Sequence, residues 1–210
     1  MDDKTLTETG WQGGSNGKLL VLACGALARE ILVFTEQMPN IDLRCLPAIL
    51  HNHPDRIVPA VRKAVTETQG YERIFLAYAD CGTGGLLADA AQELGLDMLP
   101  GPHCYAFFEG TETFLEKSKD EFTAFYLTDF LTRQFDAFVW EPLGLDRHPE
   151  LRDMYFGHYE KLVYQAQTDD PALTAKAKDC ARRLGLAFER RFTGYGELGT
   201  ALQGLQLPTN

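Results

Sequence analysis

The sequence lacks a surplus of basic residues. Its 210 residues include 20 Lys and Arg against 30 Asp and Glu, which gives a formal charge of -10 at pH 7. A protein that binds the phosphate backbone of a nucleic acid needs a cluster of Lys and Arg. The composition therefore disfavours a nucleic-acid partner, and we expect a small-molecule substrate instead.

The sequence also lacks an apolar run of about 20 residues, the length that a helix needs to span a bilayer. Residues 1–18 are acidic and rich in glycine, without the basic and apolar segments of a secretory signal. We therefore expect no membrane partner and a cytoplasmic location. We interpret residues 1–17 as a flexible N-terminal tail, 18–204 as a single α/β domain and 205–210 as a C-terminal tail.

Paired cysteine motifs are absent too, because no Cys-x-x-Cys occurs. This excludes a ribbon-type zinc site and a thioredoxin motif. An odd number of cysteines without a secretory signal indicates a reducing compartment, in which they serve as thiols or metal ligands. We interpret Cys45 and Cys180 as core residues, since each lies within a predicted element. The five cysteines are Cys24, Cys45, Cys81, Cys104 and Cys180.

The first half of the chain alternates strand-like and helix-like segments. Short apolar runs predict strands over 19–23, 41–46, 73–78 and 96–99. Helical spacing of apolar residues, with Gly and Pro at the ends, predicts helices over 26–37, 54–69 and 84–94. Strands and helices that alternate at this spacing form a parallel sheet, so the fold class is α/β with a Rossmann-like parallel sheet.

The second half is richer in aromatic residues and reads as more helical. We predict an aromatic helical segment over 122–138 and helices over 151–167, 171–184 and 197–202. A strand is predicted over 186–191. We expect this last strand to rejoin the first sheet and the aromatic-rich helices to form a cap over the edge where its strands end.

Cysteines and a histidine follow the predicted strands of the first half. Cys24 follows the first strand, His51 the second, Cys81 the third and Cys104 the fourth. The carboxyl ends of parallel strands meet at one edge of the sheet, where ligands bind. Three thiolates and an imidazole form a soft tetrahedral ligand set suited to zinc, and three thiolates alone could hold a [4Fe–4S] cluster. Single buried cysteines in the core are the alternative.

The loop that contains Cys81 is rich in glycine. Gly82, Thr83 and Gly84 precede a predicted helix, where a ligand could approach the backbone, so they are candidate substrate-binding residues. The pattern is not Gly-x-Gly-x-x-Gly, and a tight turn that brings the Cys81 sulfur to the helix N-terminus is the favoured interpretation. His103 adjoins Cys104 and is a candidate acid or base.

The polar residues of the second half offer further candidates. Asp146 could orient His148, and both are candidate catalytic residues, while Arg147 could bind a substrate anion. The alternative is a helix start with Pro at its first position and acids in its first turn. Asp129 lies in an aromatic segment and is a candidate substrate-binding residue, or a structural partner of Arg133.

These residues lie in motifs that resemble those of domain-of-unknown-function family 1638, and the likeness extends from about residue 18 to residue 204. The motif GPHCY contains Tyr105, which is a candidate substrate-binding residue. The motifs are ACGAL at 23–27, LHN at 50–52, DCGTGG at 80–85, GPHCY at 101–105, YLTDF at 126–130 and LDRHPEL at 145–151.

The resemblance implies a bacterial or archaeal protein encoded near corrinoid-dependent methyltransferase systems for methylated amines. It suggests a role in one-carbon metabolism, with a corrinoid protein or a methyltransferase as partner. Together with the ligand set of Cys24, Cys81, Cys104 and His51, which predicts zinc, this favours a zinc-dependent enzyme of the methyl-transfer class. One alternative is a non-catalytic accessory protein that handles a metal or a corrinoid. A second is a metal-free α/β enzyme in which Cys81 is the nucleophile.

Overall fold

The computed structural model describes residues 2–14 and 17–205. The predicted C-terminal tail, apart from Leu205, lies outside the described residues. Two compact units are formed, one by the residues up to Phe107 together with those from Tyr195 onward, and the other by Phe108–Gly194. The described strands are β1 (Trp11–Gly13), β2 (Leu19–Cys24), β3 (Ile41–Leu46), β4 (Arg73–Ala77), β5 (Asp97–Met98), β6 (Ala124–Leu127), β7 (Lys161–Ala166) and β8 (Ala187–Phe192).

The α-helices are short, and α9 is the longest in the described part of the chain. None of the helices among the described residues is long and apolar enough to cross a bilayer. The helices are α1 (Asp3–Glu8), α2 (Ala28–Thr35), α3 (Ile57–Glu67), α4 (Leu86–Glu93), α5 (Cys104–Glu109), α6 (Thr111–Ser118), α7 (Asp129–Arg133), α8 (Arg152–Phe156), α9 (Pro171–Leu184) and α10 (Gly196–Gln203).

The first unit contains a five-stranded sheet in the order β1-β3-β2-β4-β5. Neighbouring strands of this sheet pair in parallel, except that β1 pairs antiparallel with β3. All six residues of β2 are buried, because this strand lies in the middle of the sheet and is covered on both faces. The four strands predicted in the first half are confirmed, as is the mixed α/β class.

The winding of this sheet reverses between β2 and β4. The chain leaves β2 for its neighbour β3 and then crosses back to β4 on the other side of β2. The helices α2, α3 and α4 follow β2, β3 and β4 in turn. In open α/β sheets, ligands bind outside the carboxyl ends of the strands at such a reversal. The crevice between the ends of β2 and β4 is therefore the place to look for a site.

The segment expected to be a loose N-terminal tail instead contains α1 and β1. The carboxylate of Asp2 accepts a hydrogen bond of 2.9 Å from the Thr5 amide and caps α1. Leu6 is fully buried. A Cβ at Gly25 would lie 2.4 Å from the Leu6 carbonyl oxygen, so only glycine permits this approach. The segment contains few apolar residues, so its sequence did not predict this packing.

The second unit contains a separate three-stranded parallel sheet in the order β6-β7-β8. The segment 122–138, predicted to be an aromatic helix, begins instead with strand β6. Aromatic residues favour strands when a partner strand is present, and here β7 pairs with β6. The Thr128 hydroxyl then accepts a hydrogen bond of 3.3 Å from the Leu131 amide and starts α7.

The predicted helix over 151–167 is also wrong in its second half. The helical spacing of apolar residues ends with α8, and the chain then enters β7, in which all residues but Lys161 are buried. The last predicted strand is confirmed as β8, but it pairs with β7 and does not rejoin the first sheet. The prediction of α9 is confirmed, with Asp170 as its N-cap and Gly185 in a left-handed conformation after its end.

Candidate functional site

The structure gathers the predicted cysteines at the reversal of the first sheet. Cys24 ends β2, Cys81 lies in the loop after β4, and Cys104 is the first residue of α5. His51 lies in a short 3₁₀ helix after β3. The prediction that the carboxyl ends of these strands lie at one edge of the sheet is therefore confirmed. Tyr78, the residue directly after β4, joins them.

Backbone hydrogen bonds fix the loop of Cys81 against the loop that leads to Cys104. The Asp80 amide donates to the Gly101 carbonyl oxygen at 2.9 Å, and the Cys81 amide donates to the Pro102 carbonyl oxygen at 3.1 Å. These bonds extend the pairing of β4 and β5 beyond the ends of the strands. They place the Cys81 and Cys104 sulfurs 3.9 Å apart.

The Asp80 carboxylate organises the glycine-rich turn. It accepts hydrogen bonds from the Thr83 hydroxyl at 2.6 Å, from the Gly84 amide at 3.1 Å and from the Gly85 amide at 2.7 Å. These amides are the ones that would otherwise face an incoming anion at the start of α4. The turn therefore carries its own carboxylate in that place, which disfavours a phosphate at Gly84 and fits the tight-turn interpretation.

Cys81 has an unusual backbone conformation. Its φ of +49° makes it the only residue other than glycine with a positive φ in the described part of the chain. The left-handed region costs a residue with a Cβ about 1–2 kcal/mol, and such strain persists where the surrounding structure enforces it. The hydrogen bonds of the loop thus hold Cys81 in an unfavourable backbone conformation, and this conformation sets the position of its sulfur.

The neighbours of Cys81 stabilise its thiolate. The Cys104 thiol donates to the Cys81 sulfur and, with His51 as a second hydrogen-bond donor, lowers the pKa of Cys81 to about 5 although burial opposes the shift. The charge of His103 acts in the same direction. The ordinary thiol pKa is about 8.5. Cys81 is therefore the thiolate of the cluster near neutral pH.

The other two cysteines of the cluster are shifted the opposite way. The hydrogen bond to Cys81 and burial raise the pKa of Cys104 well above that of an ordinary thiol. Burial, together with the nearby Cys81, raises the pKa of Cys24 to about 12. Within the cluster, Cys81 is thus shifted toward the thiolate, whereas Cys24 and Cys104 are shifted toward the neutral thiol.

Tyr78 is a member of the cluster that the sequence analysis missed. Its side chain is 2% exposed, and its hydroxyl makes no hydrogen bond within the described residues. The Cys24 sulfur is close enough to affect the pKa of Tyr78, which burial raises well above 10, but the contact lacks hydrogen-bond geometry. A tyrosine at the end of an apolar strand, two residues before Asp-Cys-Gly, is the sequence signal that could have revealed it.

The remaining candidates of the first unit surround this cluster. His103 is exposed and close enough to Cys81 for its charge to lower that pKa. The Tyr105 ring is half-buried, with its centroid 6.1 Å from that of His103. Within residues 2–14 and 17–205, no three His, Cys, Asp or Glu side chains are arranged as a ready-made metal site. The side chains of the cluster thus lie near one another, but they do not have the arrangement of ligands around a metal ion.

Asp129 belongs to the second unit and is fully engaged there. Its buried carboxylate accepts hydrogen bonds from the Tyr164 hydroxyl at 2.6 Å and from the Gln167 amide at 3.1 Å. Thr168 adds its amide at 3.0 Å and its hydroxyl at 2.5 Å. Four donors of the chain itself leave little capacity for a substrate. The carboxylate ties the end of β6 to the end of β7.

The polar residues of the LDRHPEL motif lie on the surface of the second unit, whereas its first residue, Leu145, is buried. Asp146 forms an ion pair of 3.5 Å with Arg147, whereas the sequence predicts that it orients His148. The Nδ1 atom of His148 lies 3.2 Å from the Glu150 carboxylate, and both side chains are more than half exposed. Pro149 begins a short 3₁₀ helix, as expected for a helix start. The contacts fit the structural interpretation.

Cys45 and Cys180, which we interpret as core residues, are 3% and 1% exposed. Cys45 lies on β3 near Cys24, and Cys180 lies in α9 of the second unit. No disulfide links any cysteine in the described residues. Cys180 therefore provides a buried cysteine outside the cluster for use as a control.

The fold is that of a mixed α/β protein, with a cluster of cysteines and a histidine at the carboxyl edge of a mostly parallel sheet. The profile of a family described as "Protein of unknown function (DUF1638)" matches residues 45–202. The chain therefore belongs to this family, as its motifs predict. The match contains His51, Cys81 and Cys104 and begins after Cys24. No curated protein and no solved structure matches the chain.

Proposed function

We propose that this protein is a metal-dependent enzyme whose centre is formed by Cys81, Cys104, Cys24 and His51, with zinc as the bound ion. The observation that carries the proposal is the 3.9 Å separation of the Cys81 and Cys104 sulfurs. Two thiolates that share a tetrahedral zinc at about 2.3 Å lie about 3.8 Å apart. The pair already has the spacing that a shared ion requires.

The place and the chemistry of the cluster support this proposal. The ligands come from segments that follow or end β2, β3, β4 and β5, at the reversal expected to bind ligands in a Rossmann-like sheet. Sulfur and imidazole donors favour zinc over magnesium or calcium. His51 and Cys24 lie near enough to Cys81 to interact with it electrostatically.

A zinc ion held by thiolates would polarise a substrate or activate a bound thiol. His103, which is exposed and near enough to Cys81 to affect its pKa, would exchange a proton with a small-molecule substrate. Methyl transfer, implied by the family resemblance, is the reaction class that we propose to assay first, with a corrinoid protein as methyl donor. A reducing cytoplasm would keep all the thiols available.

The test is the metal content and the visible spectrum of protein purified without oxygen or chelator. We expect about one zinc per chain in the wild type, lost in Cys81→Ser and retained in Cys180→Ser. Brown protein that contains iron and sulfide would instead indicate a [4Fe–4S] cluster bound by the same cysteines. A wild type that binds neither, even after reconstitution, would overturn the proposal. Reversible binding without turnover would indicate an accessory protein.

A metal-free enzyme with Cys81 as nucleophile is the second candidate. The strained φ of +49° at Cys81 favours it, because strain of this kind is common at nucleophiles. This candidate predicts rapid alkylation of Cys81 alone in metal-free protein at neutral pH, and slower alkylation in His51→Ala. Equal, slow reaction of all the cysteines would exclude it.

A further inference from the structure

The buried hydroxyl of Tyr78 has no hydrogen-bond partner within the described residues. The side chain is 2% exposed, so bulk water does not replace the missing partner. Buried polar groups are nearly always paired, and an unpaired one costs stability. A hydroxyl in this condition at the edge of a candidate site indicates that its partner appears only when the site is occupied.

The surroundings of this hydroxyl identify the partner. The last paired residues of β2 and β4 are Ala23 and Ala77, so Cys24 and Tyr78 are neighbours just beyond them. Cys24 is therefore the candidate ligand directly beside Tyr78 in the pairing of the sheet. A neutral thiol is a weak acceptor, whereas a thiolate accepts short, strong hydrogen bonds.

We propose that Tyr78 is a positioning residue of the cysteine cluster, whose hydroxyl donates to the Cys24 sulfur when Cys24 is a metal-bound thiolate. The proposal rests on the metal site proposed above and assigns Cys24 as its third thiolate. Hydrogen bonds to ligating atoms orient the ligands and raise metal affinity. In the metal-free protein the same buried hydroxyl has no hydrogen-bond partner among the described residues, which costs stability.

This role has a signature that separates it from a merely structural one. Tyr78→Phe removes an unpaired buried hydroxyl and leaves the ring in place. The substitution should therefore leave the melting temperature of the metal-free protein unchanged or raise it, while it weakens metal binding. A structural tyrosine would lower the melting temperature when its hydroxyl is removed.

The experiment uses Co²⁺ as a spectroscopic probe in the full chain, since thiolate-to-cobalt absorption increases with the number of thiolate ligands. We expect Tyr78→Phe to bind Co²⁺ about tenfold more weakly than the wild type, the effect of one charge-assisted hydrogen bond. Its thiolate-to-cobalt absorption should fall toward that of Cys24→Ser. In the double variant, Tyr78→Phe should add no further loss to Cys24→Ser, because both changes act on one ligand.

Tyr71→Phe is the matched control. Its hydroxyl donates to the Asp42 carboxylate at 2.8 Å, so its removal should lower the melting temperature and leave Co²⁺ binding unchanged. Unchanged Co²⁺ affinity and absorption in Tyr78→Phe would overturn the role of Tyr78 alone. So would a fall in the metal-free melting temperature as large as that of the control. A wild type that binds no Co²⁺ would overturn the metal site as well.

Discussion

At the scale of single residues, the cluster distributes its protons unequally. Cys81 has a lowered pKa because a thiol and an imidazole donate to its sulfur, whereas Cys24 and Cys104 have raised values. Each of these three side chains, alone in water, would have a pKa of about 8.5. The difference arises from burial and from which atoms touch.

The first prediction concerns the titration of Cys81. Ultraviolet absorbance of the thiolate in metal-free wild type should show one cysteine ionised well below the ordinary thiol pKa. Cys81→Ser should lose this step, and His51→Ala should move it to higher pH, because a donor to the thiolate is removed. Cys180→Ser should keep it. An unchanged midpoint in His51→Ala would contradict the contact with His51.

The same shift gives a pH dependence of stability. A thiol whose folded pKa lies below its unfolded value contributes stability that is fully present above the unfolded pKa and lost as pH falls toward the folded one. The wild type should therefore gain stability relative to Cys81→Ser as pH rises from about 5 toward about 9, between the folded and ordinary values of Cys81. Urea unfolding of both variants across this range checks the sign.

At the scale of secondary-structure elements, each sheet ends in a carboxylate that accepts hydrogen bonds from the chain. Asp80 organises the loop after β4, and Asp129 joins the ends of β6 and β7. Both residues are acids near a strand end, the pattern expected of a ligand site. Their hydrogen bonds are instead directed inward, so each sets the shape of a loop.

The second prediction tests the loop of Asp80. Asp80→Ala leaves the Thr83 hydroxyl and the amides of Gly84 and Gly85 without their acceptor, and should cost about 1–3 kcal/mol of unfolding free energy. It should also move the Cys81 thiolate step to higher pH, because Cys81 loses its fixed position. Urea unfolding and the thiolate titration measure the two effects. Unfolding free energy equal to that of the wild type would contradict this role.

The third prediction concerns the second unit. Asp129→Ala removes the buried acceptor of hydrogen bonds from Tyr164, Gln167 and Thr168, of which Tyr164 and Gln167 are buried, and should cost about 3 kcal/mol or more. Asp146→Ala, an exposed acid of the same unit, should change the unfolding free energy by less than about 0.5 kcal/mol. Hydrogen exchange at the amides of β6 and β7 should rise only in Asp129→Ala. Similar losses in both variants would show that burial of Asp129 is unimportant.

At the scale of the whole molecule, the described residues divide into two units, each with its own sheet. Every proposed metal ligand comes from the first unit. A ligand that binds only the folded state stabilises it, by about 2.7 kcal/mol at a free concentration 100 times the dissociation constant. Metal binding should therefore stabilise the first unit directly.

The fourth prediction follows from this division. Added zinc should raise the melting temperature of the wild type and of Cys180→Ser, and a chelator should reverse the change. Slower hydrogen exchange should be concentrated in the loops after β2 and β4. Cys81→Ser should respond to neither addition. Stabilisation by zinc that persists in Cys81→Ser would place the ion elsewhere.

The sequence alone determined most of the first sheet. Its strands are short apolar runs bounded by Gly, Pro and polar residues, and such local patterns survive in the fold because β2 is buried on both faces. Parallel pairing then requires that Cys24, His51, Cys81 and Cys104 share one edge. For the same reason the candidate ligands could be predicted before any contact was known.

Only the tertiary structure decided the rest. The segments of β6 and β7 have helix-like spacing, and pairing with distant strands overrides it. The donors to Cys81 and the unpaired hydroxyl of Tyr78 depend on contacts between residues far apart in the chain. A pattern of residue types records which side chains are apolar, but burial, distance and hydrogen-bond partners exist only after the strands have met.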